Sequence, residues 1–127
     1  INNNIIIHSC DIDPLTKIYG SRLTKGYNIH FRVDEAFDYF LDYCKFYNLI
    51  INTSCEHMEY NDVKLMCSLK RRDAIICLQS NNYFEVDSHI GCHNSLSDFV
   101  NSLNLKKIYY QGEKKLENCD RYMVIGK

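Results

Sequence analysis

Tryptophan is absent from the 127 residues, proline occurs once, and the five glycines are scattered. Without clustered glycines there is no phosphate-cradling loop of the dinucleotide or P-loop kind. No apolar run approaches the roughly 18 residues of a membrane-spanning helix, and nothing at the start has the charged, apolar, small-residue succession of a signal peptide. Charge of one sign is lacking too: 15 basic and 16 acidic residues give a formal net charge of −1, so no general attraction to nucleic acid or acidic membranes is expected. The seven cysteines contain no C-x-x-C pair, which excludes a zinc ribbon and a thioredoxin-like motif.

What is present suits a small globular protein. Apolar residues make up 46% and charged residues 24% of the chain, enough to fill one core at this length. The bias toward Asn, Ile, Lys, Tyr and Phe suits AT-rich coding sequence and carries no chemistry. Cysteine is odd in number, and Cys44, Cys67 and Cys77 fall where apolar residues belong, so free thiols used as small hydrophobes are expected. That places the protein inside a cell, nuclear or cytoplasmic.

Along the chain, residues 1–26 hold the apolar run Ile5 to Ile7 and a turn at Asp13-Pro14, and read as a lead-in strand and loop. Asn2, Asn3 and Asn4 read as terminal low complexity. Residues 27–33 alternate as a strand. Asp34 then offers a cap, and Phe37, Phe40, Leu41 and Cys44 recur at helical spacing, predicting a helix to about Asn48. Val63, Leu65, Cys67 and Leu69 alternate. They predict a hairpin through the turn Lys70-Arg71-Arg72-Asp73 to a strand over 74–78, with Leu65 opposite Leu78. A turn at 80–82 would lead to a further strand over 84–88. Ser95 and Asp98 form a capping-box variant before Leu96, Phe99, Val100 and Leu103, predicting a second helix over 96–104. Strands over 107–111 and 121–125 follow, joined at Gly112 to Lys115.

The resulting order, βαβββ then βαββ, is an approximate duplication. It resembles the half-ring domain of the PCNA-like sliding clamps over 63–78 (VKLMCSLKRRDAIICL), 84–103 (FEVDSHIGCHNSLSDFVNSL) and 107–125. The resemblance implies an α+β fold with two helices on one face of a mainly antiparallel sheet, forming a single domain over 27–127. It implies a non-enzymatic assembly or tethering module in DNA replication, repair or transcription, without a cofactor. Its partners would be proteins, with self-pairing through edge strands open, and no membrane. Carried over by resemblance, the DNA-facing positions are Asp38, Asp42, Lys45, Asp98 and Asn101, with Tyr39 beside them. Three carboxylates against one lysine would repel phosphate, so this domain alone should hold duplex DNA only weakly. The rival reading is a viral or protozoan α+β interaction module that binds a partner protein and is unrelated to clamps.

A zinc-dependent or cysteine enzyme is a third class, resting on Cys55, His57, His89, Cys92 and His93. Thiolate and imidazole are the ligands zinc prefers, and residues i and i+2 of a strand share a face. Neither Cys55-Glu56-His57 nor His89-Ile90-Gly91-Cys92-His93 has a common zinc spacing, so no metal is assigned. No motif flanks Cys92 as a nucleophile. The basic clusters Lys70-Arg71-Arg72, Lys106-Lys107 and Lys114-Lys115 read as solvated turns.

Overall fold

The structure, a computed structural model, describes residues 5–127; the amide-rich stretch Asn2 to Asn4 lies outside them. The chain divides into two compact units, Ile1–Tyr43 and Cys44–Lys127.

In the first unit, strand β1 (Ile7–Asp11), helix α1 (Pro14–Leu23) and strand β2 (Ile29–Val33) make one βαβ turn, followed by helix α2 (Ala36–Tyr43). β1 and β2 are parallel, with Ile7 beside Ile29 and Asp11 beside Val33; a parallel pair needs a crossover, and α1 supplies it. Asp13 caps α1 by accepting from the Leu15 N–H at 2.9 Å, and Pro14 stands at the first helical turn, where its missing N–H costs nothing. Gly20 lets α1 approach β2, because a Cβ there would lie 2.3 Å from the Phe31 ring.

The second unit carries a mixed sheet in the order β3-β4-β6-β5, built from β3 (Leu49–Asn52), β4 (Ile75–Asn81), β5 (Ile108–Lys115) and β6 (Asp120–Gly126). β3 and β4 are parallel and joined through helix α3 (Tyr60–Leu69); β6 runs antiparallel to β4 and to β5. Helix α4 (Leu96–Ser102) precedes β5, and a single 3-10 turn (Cys55–His57) follows β3. Ile76 and Leu78 of β4, Tyr122 and Val124 of β6, Phe99 and Leu103 are almost fully buried, with Val63, Met66 and Cys67 of α3 also in the core. No helix of the described residues is long and apolar enough to cross a membrane. Among the described residues, which include all seven cysteines, there is no disulfide.

The α+β class stands, as helices with parallel and mixed sheets. The clamp-like duplication does not. Residues 60–69 form a helix where alternation predicted a strand, because Val63, Met66 and Cys67 also satisfy the i, i+3, i+4 spacing and it is this set that is buried. Leu65 and Leu69 stay exposed. Lys70 to Asp73 is thus a helix-to-strand connection, and Ile76 pairs with Ile50 and Gly126 instead of facing a hairpin partner. Residues 84–88 are a loop whose start is held by side chains of Asn81 and Asn82, which accept from the Tyr83 and Asp120 N–H groups at 2.9 and 2.7 Å. β5 runs through Gly112 to Lys115, and the chain turns later, where the Leu116 N–H donates to the Cys119 carbonyl at 2.9 Å. The strand at 29–33, the start of α4 and its Ser95 cap, which accepts from the Asp98 N–H at 3.1 Å, follow the pattern read from sequence.

Candidate functional site

In sheets of parallel strands joined by helices, ligands bind beyond the carboxyl ends of the strands, where the connecting loops converge. Beyond β3 lies the 3-10 turn with Glu56 and His57; beyond its neighbour β4 lies the loop 82–95 with His89. The two are locked together by backbone. The Gly91 N–H donates to the Glu56 carbonyl at 2.9 Å, and the Ser80 hydroxyl donates to the Gly91 carbonyl at 3.1 Å. Only glycine fits at position 91, because a Cβ there would meet the Met58 and Cys55 carbonyl oxygens at 2.3 and 2.5 Å. The Tyr60 hydroxyl, donating to the Cys92 carbonyl, ties the same loop to the start of α3.

This docking gathers one ligand atom each from Glu56, His57 and His89 within 4.8 Å of one another. The two imidazole rings meet edge to face, with centroids 4.6 Å apart. His57 Nδ1 lies 3.1 Å from the Ser88 carbonyl and His89 Nδ1 2.8 Å from the Tyr83 carbonyl. A carbonyl oxygen can only accept, so both rings carry a proton on Nδ1, and in the neutral form Nε2 keeps a bare lone pair. Glu56 is 5% exposed. Its Oε1 accepts from Arg121 of β6 at 3.5 Å, while Oε2 is buried and has no hydrogen-bond partner among the described residues. The same guanidinium donates to the Thr53 carbonyl at 3.3 Å.

Of the five metal candidates read from sequence, the structure brings His57 and His89 together and separates the rest. In a 3-10 turn, successive residues point about 120° apart, so Cys55 and His57 do not share a face as they would on a strand. The Cys55 thiol is buried, and burial pushes its pKa well above the ordinary range. The Cys92 thiol donates to Asn81 Oδ1 at 3.1 Å, and its pKa is likewise raised by burial, which makes it a poor nucleophile. His93 is buried between Ser80 and Ser102, and its pKa is lowered, chiefly by burial. Glu56 carries no ligand signal of its own in the sequence, although it stands between the candidates Cys55 and His57 soon after a strand; Arg121 has no local signal at all.

The positions assigned to DNA by resemblance fall in both units. Asp38 and Asp42 are exposed on α2 in the first, whereas Tyr39, grouped with them, is buried and holds His8 Nδ1 at 2.7 Å through its hydroxyl. In the second unit the Lys45 ammonium donates to the Leu69 carbonyl, and Asp98 and Asn101 are exposed on α4.

No family model matches the chain, and no curated protein matches it. Solved structures do. The N-methyltransferase NodS from Bradyrhizobium japonicum WM9 superposes with a TM-score of 0.73 at 10% identity, over 95% of this chain and 72% of that one. The trans-methyltransferase CalH, solved in complex with SAH, gives 0.69 at 13% identity over 94% of this chain and 42% of its own. A protein solved in work on the conversion of a disulfide bond into a thioacetal group during echinomycin biosynthesis gives 0.64 at 12%, over 96% and 66%. The chain therefore spans less than two thirds of the length of some of these neighbours. The fold is methyltransferase-like. That finding overturns the sliding-clamp resemblance and with it the tethering role in DNA replication, repair or transcription; the rival interaction module has no support either. The expectation of a non-enzymatic protein is corrected in the same way, since the solved neighbours NodS and CalH are methyltransferases. The DNA-facing assignment of Asp38, Asp42, Lys45, Asp98 and Asn101 had rested on the clamp alone.

Proposed function

We propose that the chain is a methyltransferase-type enzyme domain, whose methyl donor is of the S-adenosylmethionine class and whose acceptor is a small molecule bearing a nucleophilic nitrogen or oxygen. One observation carries the reading: in a chain of methyltransferase-like fold, a carboxylate and two imidazoles with bare nitrogens lie beyond the carboxyl ends of two adjacent parallel strands. The donor class supplies an electrophilic methyl group on a sulfonium centre.

The first unit has residues that fit such a donor's nucleoside. Asp11 ends β1, and in doubly wound folds an acidic side chain beyond a strand accepts from ribose hydroxyls. Its Oδ1 is held by the Asp13 N–H at 2.9 Å, which fixes the carboxylate at the strand end, and the side chain is exposed. In the second unit, the acceptor's nitrogen or oxygen must shed a proton as it is methylated. Glu56, His57 and His89 are the basic groups gathered there to receive it, directly or through a bound water.

Calorimetric titration with S-adenosylhomocysteine tests the donor half. Saturable 1:1 binding is expected, weakened at least about tenfold, or about 1.4 kcal/mol, by Asp11→Asn, which keeps the shape but removes the charge. Heat-silent titration up to millimolar ligand would overturn the reading.

A further inference from the structure

We infer that Glu56, His57 and His89 form a binding site for one divalent transition-metal ion, with zinc the best match to their chemistry. Two histidines and one glutamate are a donor set of catalytic zinc centres, in which three protein ligands leave a fourth position open. Imidazole donors also argue against calcium or magnesium, which take oxygen ligands.

Three independent observations support the site. The ligand atoms lie within 4.8 Å of one another; bonds of about 2.1 Å in a tetrahedron put ligands about 3.4 Å apart, so no pair need close by more than about 1.4 Å to complete the shell. Both imidazoles already make the outer contact that metal-bound histidines make, with Nδ1–H given to a backbone carbonyl and Nε2 left bare. Finally, Glu56 Oε2 is buried without a hydrogen-bond partner in a side chain only 6% exposed, and a bound cation would satisfy that oxygen. Arg121 balances Oε1 on the other side at 3.5 Å and leaves Oε2 to the site.

The exposed side of His57 leaves the fourth position open to water. There the metal would lower the pKa of a bound water or an acceptor hydroxyl, so the imidazoles would act on the proton through the metal. The binding itself goes beyond the methyl-transfer reading and stands without it.

Titration of the reduced chain with Zn2+ by calorimetry, and with Co2+ by visible absorption, tests the site. The expected result is 1:1 saturable binding, weakened at least tenfold by each of His57→Ala, His89→Ala and Glu56→Gln, with a Co2+ spectrum free of thiolate-to-metal charge transfer. His57 is exposed, so His57→Ala keeps its fold and decides the matter if Glu56→Gln does not. Absence of saturable binding, binding unmoved by both histidine variants, or a thiolate charge-transfer band would each overturn the inference.

Discussion

Two histidine environments of the second unit, one holding His57 and His89 and the other His93, differ in almost every physical respect. His57 and His89 stand at the surface end of the loops, each with Nδ1–H given to a carbonyl. His93 is buried, its ring against Tyr60 and Phe99 with centroids 5.0 and 4.9 Å away. The Ser102 hydroxyl donates to the Phe99 carbonyl at 2.8 Å, so its oxygen receives from His93 Nε2 at 3.1 Å. The buried ring is therefore protonated on the opposite nitrogen from His57 and His89. Residue type is the same in both places; burial and the hydrogen-bond partner of each ring nitrogen differ.

The hinge of that comparison is Gly91, whose backbone joins the two layers. Gly91→Ala should have the largest effect, about 3 kcal/mol of lost stability, because the clash is with two backbone carbonyls that cannot rotate away. Urea unfolding would measure it. Should the variant stay within about 0.5 kcal/mol of the parent, the loop can dock on the 3-10 turn in more than one way, and the grouping of Glu56 with His89 loses its cause.

A smaller effect separates the layers directly. His93→Ala should cost about 2 kcal/mol, from a cavity beside Phe99 and Tyr60 and a lost hydrogen bond to Ser102. His57→Ala, at an exposed position, should stay within about 0.5 kcal/mol. Equal losses in the two variants would erase the distinction.

The sequence exposed some of this and hid the rest for definite reasons. β2, α2 and α4 carry one pattern each and were legible, with a cap at Ser95, although α2 stops at Tyr43, short of Asn48, and Asp34 accepts only from the Glu35 N–H ahead of the helix. Residues 63–69 carry both periodicities at once, and only the pairing of β4 with β3 and β6 decides that Val63, Met66 and Cys67 point inward. Once that helix was read as a strand, the alternation of strands and helices vanished and a duplicated meander took its place. At the site, His57 and His89 were visible as zinc-type ligands, but their meeting depends on a backbone bond between positions 56 and 91. Cys55, Cys92 and His93 shared the same local signal and turned inward. Local spacing cannot tell those outcomes apart, because burial is set by long-range docking.

The pH dependence of stability sharpens the comparison at its finest scale. Burial lowers the pKa of His93 below the ordinary histidine value of 6.5, with the nearby Asp98 carboxylate pulling the other way. The folded chain thus keeps this ring neutral at pH values where the unfolded chain has already taken up a proton. Below 6.5 the unfolded state binds more protons at this position, and stability falls as pH drops from 6.5 toward the lowered folded-state value. Above 6.5 the contribution is fully present and flat. For one proton the slope cannot exceed about 1.4 kcal/mol per pH unit. His93→Gln keeps an N–H for Ser102 but cannot titrate, so unfolding free energies of the two proteins, measured from pH 8 to pH 4.5, should run parallel above 6.5. Below it the gap between the curves should shift in the variant's favour. Curves that stay parallel to pH 4.5 would mean that His93 is protonated equally in both states, and the buried, neutral ring would have to be given up.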